Sequence, residues 1–273
     1  MRAPIAYCQG RAAGPWKGWS AVRDDGSGLS AQEQARRPPE PGSALWWAQR
    51  AAAEGRRRPR AGGLSAARII DAALEILRDG GLGALTVRGV ADRLGTSSAS
   101  LYRHIASREE LIALIVDHVL GDIRLEATGR GWRADVEALM RELRRVILEQ
   151  PLPASAARSR STYGPNMLRL VDAALGLLRR AGLSDEQAAY AAITMIEFVA
   201  GSATIQRSVL GRTAKGAAGS DGFDELLGAL PGDELPALRA AGAAFVAASV
   251  DEVFAHGVAV FLDGVTSQLP REQ

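Results

Sequence analysis

Ser98, Ala99, Ser100, Tyr102, Arg103 and His104 share a chemistry suited to duplex DNA. The small residues at 98 and 99 let a helix approach base edges, and the hydroxyl, guanidinium and imidazole donors that follow suit phosphate oxygens. Leu101 and Ile105 repeat the apolar interval of a short helix, which leaves the other six residues on its opposite face.

Such a helix needs a scaffold, and the neighbouring residues supply one. Val87, Val90, Ala91 and Leu94 recur at the i, i+3, i+4, i+7 interval of one helical face, and Gly95 follows as a terminator. After a three-residue turn the second short helix begins, so Thr86 to Ser107 reads as a helix-turn-helix. Upstream, Ser65 caps a helix reading AARIIDAALEILRDG, with Ile69, Ala72, Ala73, Ile76 and Leu77 as its apolar stripe and Gly80-Gly81 as its end. Downstream, Ser107-Arg108-Glu109-Glu110 reads as a capping box. It opens the helix ELIALIVDHVLGDI, whose apolar residues cover about half its circumference and predict burial on two sides.

From Leu64 through Gly121 the chain resembles the tetracycline-repressor (TetR) family of bacterial transcription regulators. The resemblance is carried by AALEIL, GLGALTVRGVADRLG, SLYRHI and SREELI, in that order. It continues more loosely through GWRADVEALMREL, YGPNMLRLVDAALGLLRRAGLSDEQA and FAHGVAVFLDGV. It implies that Arg88 reaches a guanine edge, for which the bidentate fork to O6 and N7 is the usual route. It also implies phosphate or sugar contacts for Thr86 or Val87, Ser100, Tyr102, His104 and Arg108. Ser98 and Ala99 stand where the tetracycline repressor has larger specificity residues, so that repressor's operator is not carried over. An effector pocket is implied between the Ser107–Ile123 helix and the C-terminal bundle. His118, Met140, Leu143, Met167, Leu170, Met195, Glu197 and Phe198 are its candidate contacts. Arg160 and Ile205 stand where the tetracycline repressor has its metal-coordinating His and a nearby Glu, so no metal or other cofactor is expected.

The 273 residues, 47% of them hydrophobic, suffice for a sizeable core and two domains. One cysteine, Cys8, excludes an internal disulfide and any cysteine-rich zinc site, in keeping with a reducing cytosol. The N-terminus lacks an apolar signal region. The apolar runs Ala188–Ile196 and Ala240–Val250 read as too short and alanine-rich to cross a bilayer, so a cytoplasmic protein without a membrane partner is expected. The net charge of +2 is uneven: residues 1–63 hold 11 Lys/Arg against 5 Asp/Glu, and residues 64–273 hold 22 against 26. The Gly-, Pro- and Arg-rich leader is expected to be disordered apart from a helical period over Ser43–Glu54, which contains Trp46-Trp47. Arg56, Arg57, Arg58 and Arg60, just ahead of the first long helix, are expected to lie along phosphates or in a minor groove.

Beyond Gly121 no period-2 strand is evident, and turn signals separate helices at 132–149, 165–181, 184–210, 222–229 and 244–269, with a small helical piece near 154–161. Small residues crowd 184–210 (Ala188, Ala189, Ala191, Ala192, Ala200, Gly201, Ala203) and 244–269 (Gly257, Ala259, Gly264), which permits close helix packing. The resemblance implies a four-helix bundle between two copies, and a two-fold dimer would place two reading helices one DNA turn apart. Enzyme signatures are missing: GGLGALT fails the GxGxxG spacing, and no Walker A, GxSxG or HExxH sequence occurs. The expected protein is therefore all-α. It has a leader at 1–63, a three-helix DNA-binding domain at 64–109 and a helical effector-binding and dimerisation domain at 110–273. The expected function is a homodimeric repressor released from a palindromic duplex operator by a small, mostly apolar molecule. The alternatives are a ligand-independent architectural DNA-binding protein and, further off, an enzyme of unknown reaction.

Overall fold

The computed structural model describes residues 38–54, 64–150, 164–213, 222–231 and 234–270. These residues form eleven α-helices, and there is no strand among them. The leader helix α1 is Ala44–Glu54, within the span whose periodicity predicts it. Arg56 to Arg60, the 154–161 piece and Arg160 lie outside the described residues.

Three helices build the N-terminal unit: α2 (Ala66–Ala84), α3 (Val87–Arg93) and α4 (Ser98–Tyr102). Each starts on a hydroxyl cap. Ser65 accepts from Arg68 N, Thr86 from Gly89 N at 2.9 Å and Ser97 from Ser100 N at 3.2 Å, satisfying amides a helix start leaves orphaned. The predicted break in α2 falls at Gly81, which takes φ 67° and ψ −169°, leaving one further turn to Ala84. Gly95 turns the chain from α3 toward α4 at φ 62°, a left-handed position that disfavours any side chain. Ile69, Leu77, Val90, Leu101 and Ile105 close the small core. The end of the leader is not detached from this core: one compact unit runs from Glu40 to Gln273, and Trp46 of α1 is buried in it.

Helix α5 (Arg108–Leu120) joins this unit to the rest, packing on α2 at one side and on α6 and α7 at the other. It is buried on two sides, as its apolar pattern predicts, and Leu111, Ile115 and Val119 are fully enclosed. The C-terminal bundle comprises α6 (Trp132–Glu149), α7 (Pro165–Arg180), α8 (Asp185–Thr213) and α11 (Val250–Ser267). Helices α6, α7 and α8 pack mutually, and α11 lies against α6 and α8. Between α8 and α11 come α9 (Phe223–Ala229) and α10 (Pro236–Ala247), where Phe223 and Leu227 approach Gly242 and Arg239 donates to the Leu227, Leu230 and Pro231 carbonyls.

Two expectations are corrected. The single helix expected at 244–269 is two, α10 and α11, bent by 109°. Ser249 accepts from Glu252 N while the Glu252 carboxylate accepts from Ser249 N, a capping box that starts a new helix inside an alanine-rich run. The small residues of α8 also face mainly inward: Ala188, Ala191, Ala192 and Ala203 are buried within their own chain. Its outer side shows Tyr190, Ile193 and Ile205 instead. Asp185–Val209 as a whole is long and apolar enough to cross a membrane by length and composition, a test that the core helix of a soluble protein also passes.

Candidate nucleic-acid interface

Helices α3 and α4 turn Val87, Val90, Ala91 and Leu101 into the core, joined by Ile105 from the link after α4, and leave their polar residues outside. Arg88 is 86% exposed and its Nε lies 3.9 Å from Asp92, a loose contact that leaves the guanidinium available. Ala99, Tyr102 and Arg103 are exposed, and Ser98, Ser100 and His104 are partly buried. Arg103 Nη2 donates to Ser100 Oγ at 3.0 Å, joining two polar groups across one turn of α4. Thr86 is exposed, but its hydroxyl oxygen is engaged as the α3 cap. The Val87 side chain is buried in the core, which leaves Thr86 as the exposed side chain of that pair.

Arg108 is engaged within its own chain. Its Nε donates to Leu85 O at 2.9 Å and its Nη2 to Leu82 O at 2.8 Å, so the fork closes the turn between α2 and α3. Those carbonyls end the extra turn of α2; Leu82 O also accepts from Leu85 N at 3.3 Å, so Arg108 is a second donor there. Arg93 adds a second tie, donating to Asp79 at 2.7 Å and Glu75 at 3.2 Å, and Asp79 holds its guanidinium above the usual pKa. Neither role follows from helical spacing, because the partners lie 14 to 26 residues away.

The start of α5 is a modified capping box. Ser107 Oγ accepts from Glu110 N at 3.1 Å, whereas the Glu110 carboxylate reaches back to Ala106 N at 2.8 Å, one residue beyond the cap. The other end of α5 holds Asp117, the buried charged residue among the described side chains. Its Oδ1 accepts from Asn166 N (3.0 Å) and Met167 N (3.2 Å), and its Oδ2 accepts from Asn166 Nδ2 (3.2 Å). Asp117 therefore caps α7. Burial pushes its carboxyl pKa up, against the opposing effect of those two amides. Gly164 permits the approach, since a Cβ there would collide with the Asp117 carboxylate. A carboxylate within LIALIVDHVL was the sequence signal for this junction.

The candidate effector residues do not form one open site. Met140, Leu143, Leu170 and Met195 are 0–1% exposed, and His118, Met167 and Phe198 are partly buried. Glu197 points outward and is exposed, because its helical position puts it on the side of α8 away from Met195 and Val199. Phe198 stacks on Phe254 of α11 at 5.7 Å. A cleft of about 210 Å³ opens nearby, lined by Arg124, Asp135, Leu139, Glu142 and Leu177 among others, and none of the eight candidates lines it.

A capped helix-turn-helix joined through one shared helix to a helical bundle defines a class of DNA-binding regulators. Residues 69–115 match the bacterial regulatory proteins of the tetR family, and residues 125–269 match the tetracyclin repressor-like C-terminal domain. The chain belongs to the TetR family. It is similar to an HTH-type transcriptional regulator of Saccharopolyspora erythraea, 35% identical over 140 residues, covering 51% of this chain and 59% of the relative. It is likewise similar to the HTH-type transcriptional repressor DrrR1 of Streptomyces coeruleorubidus, 34% identical over 141 residues, covering 51% and 52%. The matches thus span just over half the length of those relatives. Among solved structures, the TetR family protein ActR of Streptomyces coelicolor in complex with actinorhodin superimposes with a TM-score of 0.69. It is 32% identical, covering 77% of this chain and 100% of ActR.

Proposed function

We propose that the chain is a dimeric transcription repressor that binds a palindromic duplex operator and releases it on binding a small, mostly apolar molecule, acting in the cytoplasm. The observation that carries this reading is the pair of short capped helices presenting Arg88, Ala99, Tyr102 and Arg103 outward from a closed apolar core. In this reading Arg88 reads a base, Thr86, Ser100, Tyr102 and His104 position the backbone, Ser98 and Ala99 allow close approach, and Arg108 holds the scaffold. The resemblance to a repressor and to a family member crystallised with a small molecule supports the remaining steps. Helix α5 supplies a route for release. Arg108 and Glu110 fasten one end to the DNA-binding unit, and Asp117 fastens the other to α7, which carries Met167 and Leu170.

The test is selection of bound duplexes from a random pool by purified protein. A two-fold motif with half-sites about one helical turn, roughly 34–36 Å, apart is expected. Failure to enrich any sequence would overturn the reading. A ligand-independent DNA-binding protein is the second reading, favoured by the closed packing of Met140, Leu143, Leu170 and Met195. Compounds that raise the melting temperature, with and without a chelator, separate the two when titrated against the operator complex. Release by a chelator-insensitive compound supports the first reading, and a set of stabilising compounds that leave the complex intact supports the second.

A further inference from the structure

We propose that α1 is a brace for the reading helix, with Trp46 as a positioning residue acting through Glu110, so that it sets operator affinity. This inference rests on the regulator reading above. Helix α1 lies outside both segments that match the family, 69–115 and 125–269. It is nevertheless built into the fold, because the Trp46 indole is 6% exposed and packs in the core. Its Nε1 donates to Glu110 Oε1 at 3.1 Å. The Arg50 guanidinium covers the same ring at 5.5 Å, and Trp47 meets it edge-on at 4.8 Å.

The target of that indole is what gives it leverage. Helix α4 is five residues long and cannot hold its own orientation. It is seated by Leu101 and by the link 103–107, in which Ile105 is also buried. Within that link His104 N and Ile105 N bond back to Leu101 O, and Ala106 N bonds forward to Glu110 Oε2. Glu110 thus closes the connection between α4 and α5, and its two oxygens serve two segments: the link through Ala106 and α1 through Trp46. With the indole in place the carboxylate is held from both sides. Without it, Oε1 returns to water and the side chain is freer to swing off the Ala106 amide, which loosens the seat of α4. A hydrogen bond to a charged acceptor is among the stronger ones, so one bond at this position is enough to matter.

The test uses the full chain and two single variants. Trp46→Phe keeps an aromatic ring and removes the N–H. Glu110→Gln keeps the side chain's length and packing but leaves one acceptor oxygen for two donors. Affinity is measured by fluorescence anisotropy on the selected operator and on a scrambled duplex of equal length, well below the melting temperature. Each single variant is expected to weaken operator binding about 5- to 20-fold, as loss of a charge-assisted bond would. Binding to the scrambled duplex should change less than about twofold, and the double variant should be no worse than the weaker single one. Operator affinity within twofold of the parent, even with a lower melting temperature, would make α1 a stabilising lid and overturn the proposal. Equal losses on both duplexes would overturn it too, since they report general phosphate attraction. Additive losses would show that Trp46 does not act through Glu110. If Trp46→Phe misfolds, operator affinity of Glu110→Gln within twofold of the parent still overturns the proposal. A parent protein that selects no sequence at all would instead fail the regulator reading itself.

Discussion

At the level of single residues, exposure and engagement separate Arg88 from Arg108. Arg88 stands in solvent with one loose partner, while Arg108 spends two donors on the Leu82 and Leu85 carbonyls. Arg88→Ala should leave the melting temperature unchanged and cost about 1–3 kcal/mol on the selected operator, relaxing preference at one base per half-site. Unchanged affinity and motif would remove Arg88 from base reading. Arg108→Ala should lower the melting temperature by removing both donors to the Leu82 and Leu85 carbonyls, of which Leu82 O keeps its bond from Leu85 N. The exposed polar set of α3 and α4 was legible in the sequence because each helix shows its outer side within about one turn. The role of Arg108 was not, because its acceptors sit 23 and 26 residues upstream. Glu142 offers a pH test of the same kind. The Arg145 guanidinium, with Arg124 behind it, holds its carboxyl at about 2. A folded pKa below the ordinary value stabilises the protein above about pH 4.5 and loses that contribution as pH falls toward 2. The melting-temperature gap between the parent and Glu142→Gln should therefore be widest near neutral pH and close on acidification. A pH-independent gap would contradict the Arg145 assignment.

At the level of elements, α5 is the piece whose two ends matter most. Asp117 meets two backbone amides of α7, and removing its carboxylate leaves Asn166 N and Met167 N without that acceptor. Asp117→Ala should cost about 1–3 kcal/mol of stability. It should also disconnect α7 from the DNA-binding unit, so that a compound raising the melting temperature of both proteins releases operator from the parent alone. Release from both would show that coupling runs by another route. Because burial raises the Asp117 pKa, its ionised form opposes folding above the ordinary carboxyl value and the penalty falls as pH drops, opposite in sign to Glu142. Helix starts were readable wherever a hydroxyl preceded an apolar stripe, as at Ser65, Thr86 and Ser107. The run around Ala240–Val250 hid a boundary because alanine favours helix at every position, and only the Ser249–Glu252 pair marked the new start. The effector candidates failed to separate from core for a related reason: Met140, Leu143 and Met195 show the same spacing whether they pack on each other or line a pocket.

For the whole molecule, α8 and α11 show an outer surface at odds with a single chain. Tyr190, Ile193 and Ile205 on α8 are 49%, 54% and 63% exposed, and Val253 and Val260 on α11 are each 56% exposed. Along α8 these continue through Glu197 and Gly201, and along α11 through His256 and Gly264, at intervals that keep one helical side. Only a third of the apolar stretch in α8 is buried, although its composition would suit an interior or a bilayer. A second copy meeting this surface across a two-fold axis would cover it and set two copies of α4 at a fixed spacing. Ile193→Glu would place a new charge on that surface, one turn from Glu197, so each copy would bring two carboxylates to the contact. The variant should sediment as a monomer with unchanged helix content. Its operator affinity should fall by a factor on the order of 10²–10⁴, because the second half-site is no longer delivered at high effective concentration. Affinity for a single half-site duplex should stay as it was, which separates loss of pairing from damage to α3 and α4. A variant that remains dimeric and binds the full operator like the parent would place the contact between copies elsewhere on the molecule.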